Sequence, residues 1–180
     1  MTPVSPGEFE AVLAGGPLRE APAHVGIGRQ LSFVPGPARE VVVHFGTDDS
    51  EQYLQEVTSR ILALEDKWLL VPRRGMADSL GLLPKGSSAS AICFEASERG
   101  DLSRYLCTRP MDLRSASADL YAVAASGTIL VTWDHHTAAE GLSIGLQRVS
   151  DAGRLLSALN DLGAELEVFC AAGREQRRDA

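Results

Sequence analysis

The chain is poor in cysteine. Its 180 residues hold three, Cys93, Cys107 and Cys170, with no Cys-x-x-Cys pair among them. An odd number leaves at least one thiol unpaired within a monomer, which argues against a disulfide framework and for a reducing, cytoplasmic home. Each sits in or beside an apolar run, as in Ile92-Cys93-Phe94 and Val168-Phe169-Cys170, so all three are expected to be buried, inert thiols. Long hydrophobic runs are also lacking: none approaches the ~20 residues that a spanning helix needs. The opening MTPVSPGEFE has no basic segment followed by an apolar one and does not read as a secretory leader. Excess positive charge is missing too. Against 24 acidic residues stand 17 basic ones, a net charge of −7, which works against binding nucleic acid or an anionic membrane and suits a basic protein partner.

Several catalytic signatures are absent or broken. Gly26 and Gly28 lack the third glycine and the strand-to-helix setting of a dinucleotide site. In Gly81 to Ser88, GLLPKGSS, lysine precedes glycine where a phosphate loop needs Gly-Lys-Ser/Thr. No Gly-x-Ser-x-Gly elbow exists to activate a serine. Asp134 and Glu140 are six apart, too little on which to build a glycosidase pair.

What remains has the composition of a soluble globular protein, 44% hydrophobic and 23% charged. A single α+β domain over 1–172 is expected, followed by a frayed charged tail at 173–180. Ser5-Pro6-Gly7-Glu8 has the spacing of a capping box and predicts a short helix bearing Phe9, Val12 and Leu13. His24 to Val34 and Val41 to Phe45 are strand candidates. Thr47 to Ser50 offers caps for a helix from about Asp49 to Leu64, in which Tyr53, Leu54, Val57, Ile61 and Leu64 recur at helical spacing. Further strands are predicted at Trp68 to Val71 and Ser90 to Glu95, and a short helix at Asp101 to Thr108. The middle, Arg73 to Ser117, is the least regular part and carries a local balance of +2. Near the end, Ser150 or Asp151 is expected to cap a helix with Leu155, Leu156, Leu159 and Leu162 on one face. Gly163 is its stop, and Leu166 to Cys170 a final strand. Strands outnumber helices and often follow one another, which predicts a mainly antiparallel sheet with the two longer helices packed on one face.

Pattern, turn chemistry and reactive side chains coincide in Ala118 to Val149. Leu120 to Ala124 and Thr128 to Trp133 read as a hairpin turned by Ala125-Ser126-Gly127, and Leu142 to Val149 as a third strand. Ile129, Val131 and Trp133 share one strand face and Leu130, Thr132 and Asp134 the other, which predicts a strand covered on one side and partly wet on the other. The strand runs into Asp134-His135-His136, with Glu140 close behind. Trp133, Asp134, His135, His136 and Glu140 are therefore the candidate binding residues. Imidazole and carboxylate together also suit a divalent metal. On an extended strand, however, Asp134 and His136 point one way and His135 the other. An ion would need a bend there, or help from His24 or His44.

Asp119-Leu120-Tyr121, a short turn, and a strand ending Thr132-Trp133-Asp134-His135 resemble the closing hairpin of small bacterial proteins associated with polymorphic-toxin immunity and their uncharacterised relatives. The resemblance covers 118–145. It implies a cytoplasmic, non-catalytic domain that binds and neutralises a partner protein. The residues favour such a protein-binding module, with no cofactor and no assigned catalytic or metal residues. The alternative is a metal-dependent hydrolase in which Asp134, His136 and Glu140 hold an ion that acidifies water. Oligomeric state is not encoded in any feature of the sequence.

Overall fold

The computed structural model describes residues 1–21, 30–34, 36–45, 50–71, 89–104, 120–133 and 141–170. In chain order these form β1 (Thr2–Val4), α1 (Pro6–Ala14), β2 (Leu18–Ala21), β3 (Gln30–Phe33), β4 (Arg39–His44), α2 (Glu51–Leu62), β5 (Lys67–Val71) and β6 (Ala91–Glu95). A 3-10 turn (Ala96–Glu98) leads into α3 (99–104). Then follow β7 (Leu120–Ala124), β8 (Ile129–Trp133), β9 (Gly141–Leu146), α4 (Val149–Leu159), a 3-10 turn (Asn160–Leu162) and β10 (Glu165–Cys170). Eight strands make one sheet in the order β1-β6-β5-β7-β8-β9-β4-β10, while β2 and β3 pair separately. Every described pairing is antiparallel, so the chain has the α+β architecture that its pattern predicts.

Local chemistry sets the helix starts. Ser5 accepts from the Glu8 backbone N–H while the Glu8 carboxylate accepts from the Ser5 N–H at 2.9 Å, which completes the capping box of α1. Ser50 caps α2 by accepting from the Tyr53 N–H at 3.2 Å. The last helix departs from expectation: Arg148 is its N-cap residue, without a side-chain bond, and Val149 is already helical. Asp151 lies inside the first turn, 2% exposed, and accepts from Arg148 Nε at 3.0 Å and Arg154 Nη1 at 3.1 Å. Its carboxylate anchors two arginines and is not available to cap. The predicted strand through Val149 is corrected for a related reason. β9 stops at Leu146, opposite Arg39, the first residue of β4; one further backbone bond, from the Gln147 N–H to the Thr128 carbonyl at 3.0 Å, follows before α4 begins at Val149.

Alternation along the strands divides the core in two. On one face Val41, Val43, Trp68, Leu70, Ile92, Phe94, Ile129, Val131, Leu142, Ile144 and Leu146 meet Leu54, Val57, Ile61 and Leu62 of α2, Leu155 and Leu159 of α4, and Leu102 of α3. The Trp68 indole is buried there and donates to the Leu62 carbonyl at 2.8 Å. The two longer helices do lie on this one face. Opposite, Leu69, Val71, Ala91, Cys93, Tyr121, Val123 and Leu130 pack under Phe9 of α1 and Leu18, Leu31 and Phe33 of the β2–β3 pair. β8 is therefore buried on both sides at Ile129, Leu130 and Val131, where one partly wet side was expected. Within that cover β2 escapes the sequence pattern, because four residues containing Arg19-Glu20 show no apolar alternation, and the edge strand β1, three residues with Pro3 at the centre, escapes it likewise.

Cover over the second face ends at β9. The Phe33 ring lies over Gly145, where a Cβ would come within 3.0 Å of it, and Pro37 closes the same spot. Glycine in this strand makes room for a side chain from the layer above. Past it, toward β4 and β10, none of the described residues forms a second layer over the face.

Candidate functional site

The register lines up the strand ends that carry the expected site. Leu120, Trp133, Leu142, Val43 and Leu166 form one row across β7, β8, β9, β4 and β10, and Gly141, His44 and Glu165 form the next. Trp133 thus has its backbone in β8, between β7 and β9. Asp134, His135, His136 and Glu140 belong to the connection from β8 to β9 and lie outside the described residues, as do His24, Cys107 and the segment 72–88. His44 is described. It stands beside Gly141 on the uncovered face, with Nε2 3.4 Å from Glu167 Oε2. Among the described residues no group of three or more His, Cys, Asp or Glu side chains is placed to hold a metal ion. No helix among them is long and apolar enough to cross a membrane.

The open end of the second face is acidic. Because opposite residues in an antiparallel pair share a face, Thr132, Ser143, Val42 and Glu167 line one row, and Gly145, Glu40 and Phe169 the next. Ser143 Oγ donates to Glu40 Oε1 at 2.8 Å, and the His44–Glu167 pair ties β4 to β10. Glu165, Glu167 and Phe169 are exposed, Phe169 by 40%, while Glu40, Val42, His44 and Ser143 are half-buried. Carboxylates set beside an exposed ring give this ledge both charge and apolar area. Val168 points to the other face and is 44% exposed, since among the β10 side chains only Leu166 packs against the helix-side core.

Several described arginines are held by neighbouring acids. A groove of about 610 Å³ between α2 and α4 is lined by Arg60, Ala63, Leu64, Gly153, Arg154, Ser157 and Ala158. Arg60 bonds Glu56 at 2.7 Å and faces Asp161 at 3.5 Å, which raises its pKa through the Glu56 hydrogen bond first and the Asp161 charge second. Arg154 is held by Asp151 and donates to the Leu64 carbonyl. Both cations brace the helix pair, so this groove offers an incoming anion little free charge. From the middle segment, Arg99 bonds Asp66 at 2.8 Å and Arg104 bonds Asp101 at 3.1 Å. Their positive charge is spent on local acids.

The cysteines divide. Cys93 is buried, and burial pushes its thiol pKa up, as expected for an inert group. Cys170, predicted to be interior, is exposed, because it ends the outermost strand where no helix covers it.

Sequence reasoning passed over Glu40, Val42, Glu165, Glu167 and Phe169. Only Glu165-Leu166-Glu167 carries the signal of alternation; in Glu40-Val41-Val42-Val43-His44 the middle position of the polar face is Val42, which hides the pattern. Which face they occupy depends on where the β2–β3 layer ends, and that is a tertiary fact. Comparison of the chain with protein-family models, curated proteins and solved structures finds no match.

Proposed function

We propose that this protein is a cytoplasmic, non-catalytic binding module that recognises a basic protein partner, in the manner of immunity-like proteins that neutralise what they bind. The observation that supports it most is the juxtaposition at one end of the sheet. There Glu40, Glu165 and Glu167 share an uncovered face with Val42 and Phe169, on a chain of net charge −7. A surface of this composition steers a basic partner by its field and retains it by apolar contact. The pairing of Arg60, Arg99, Arg148 and Arg154 with neighbouring acids, among the described residues, fits the same assignment. The connection carrying Asp134, His135, His136 and Glu140 enters β9 at Gly141, directly beside His44, so it borders this end in the chain.

The test is affinity capture from cells of the same source, with the purified chain as bait and an equally acidic unrelated protein as control. The expected result is enrichment of one protein of basic sequence that rebinds the purified chain and is released by raised salt. Enrichment of nothing beyond the control would overturn the proposal.

A further inference from the structure

The two edges of the eight-stranded sheet are built differently. One edge, β1, has three residues with Pro3 at its centre. Such an edge is short, and its proline offers no N–H to an added strand. The other edge, β10, has six residues without proline or lysine, and among the described residues nothing pairs with its outer side. Five of its six residues are exposed, Val168 and Phe169 among them.

We infer that β10 is a docking strand, pairing edge to edge with an extended segment of a protein partner in which basic and apolar residues alternate. This rests on the protein-binding function proposed above and specifies how the partner is held. Strand addition supplies backbone hydrogen bonds, and side-chain alternation supplies the selectivity. Glu165 and Glu167 lie on one face and Leu166 and Val168 on the other, so an added strand meets carboxylates at every second position and apolar groups between them. Lysine or arginine opposite the glutamates, with β-branched residues opposite Leu166 and Val168, is the complementary pattern. A second copy of this chain fits less well. Antiparallel self-pairing centred on Glu167 sets that residue against itself, and centring on Leu166 sets Glu165 against Glu167. Any register also joins two chains of net charge −7.

The experiment titrates the full-length protein with a capped peptide of alternating lysine and valine. Two further versions carry N-methyl groups on alternate residues, one version blocking each edge of the peptide. Binding is followed by calorimetry, and protection of the β10 amides by hydrogen exchange. The expected result is saturable binding that weakens with salt and slows exchange in β10. Methylation of one peptide edge abolishes it. The E165K/E167K protein binds roughly tenfold more weakly, as expected for reversing two cross-strand charge pairs, while it stays folded, its unfolding midpoint lowered only by loss of the exposed His44–Glu167 pair. Equal binding of both methylated peptides, unchanged affinity of E165K/E167K, protection confined to other strands, or no saturable binding would each overturn the inference. So would a dimer seen by sedimentation and abolished by E165K/E167K, because a second copy would then hold the edge. If a partner captured from cells binds while the β10 amides remain unprotected, the docking strand is refuted and the binding function stands. Capture of no partner at all removes the function itself.

Discussion

Gly141 lies so close to Val43 across the β9–β4 pair that a Cβ on it would stand 2.5 Å from the Val43 carbonyl oxygen. The obstacle is backbone, held by a strand paired on both sides, so it cannot swing away as a side chain would. Glycine at this position lets the chain enter β9 tightly against β4, next to His44 and the acidic ledge. Gly141→Ala is expected to destabilise the protein by about 1–3 kcal/mol, the range for forcing extra volume into a packed region. Urea denaturation checks this, and an unchanged midpoint would show that β4 yields without cost.

A second prediction concerns Asp151. Its side chain is 3% exposed and its two arginine partners about half exposed, 52% for Arg148 and 50% for Arg154. Removing the carboxylate frees Arg148, which also bonds the Thr128 hydroxyl at 2.9 Å, and Arg154, which reaches across to α2's end at Leu64. Loss of a fully buried ion pair would cost more, but the solvated arginines recover part of the loss. Asp151→Ala should lower stability by about 1–3 kcal/mol. Thermal unfolding will show it as a lower midpoint, and a shift within error would assign the helix start to backbone alone.

Acid should act on the capping box of α1. The Glu8 carboxyl is held below its ordinary value of 4.5 first by the Ser5 hydroxyl and next by the Ser5 backbone N–H. A depressed folded-state pKa contributes stability that is present above the unfolded value and is lost as pH falls through the folded one. The native protein should therefore lose stability relative to Glu8→Gln on acidification from neutrality to below pH 4.5. Unfolding midpoints measured for both proteins across that interval are expected to converge. Parallel curves would show that the carboxylate charge contributes nothing to the cap.

Trp68 tests the helix-side core. Its ring is 1% exposed, and its indole N–H satisfies the Leu62 carbonyl where α2 ends. Trp68→Phe loses that bond, leaves the carbonyl buried and opens a small void. The Leu62 carbonyl keeps the Glu65 N–H at 3.5 Å, so a destabilisation of about 0.5–1.5 kcal/mol is expected from the lost bond, measurable by denaturant titration. An unchanged midpoint would show that the indole bond contributes nothing to the core.

Much of this fold is legible in the sequence because local chemistry and tertiary need agree. Ser5 with Glu8, Ser50 before an apolar stripe, Gly163 in the left-handed conformation at φ 65° and the Ala125-Ser126-Gly127 turn are each decided within a few residues. The start of α4 was not legible, since Asp151 resembles a cap in sequence and becomes one only if no cation competes for it. Arg154 lies three residues on and Arg148 three before, and both compete. The two-layered cover was equally hidden. The alternation of β8 predicts one partly wet side until the β2–β3 pair, whose β2 lacks apolar alternation, is placed over Leu130. Trp133 and the following Asp134, His135, His136 and Glu140 drew attention as polar groups at a strand end. The exposed ledge of Glu165, Glu167 and Phe169 drew none, because its openness depends on Phe33 stopping above Gly145.

Recognition through the acidic end of the sheet is tested most directly by one comparison of affinities. The partner captured from cells, once purified, would be titrated calorimetrically into the native protein and into E165K/E167K under identical salt. Loss of roughly tenfold or more in affinity, in a protein that remains folded, is the expected result. Equal affinities for the two proteins would place the partner elsewhere on the molecule and contradict the assignment.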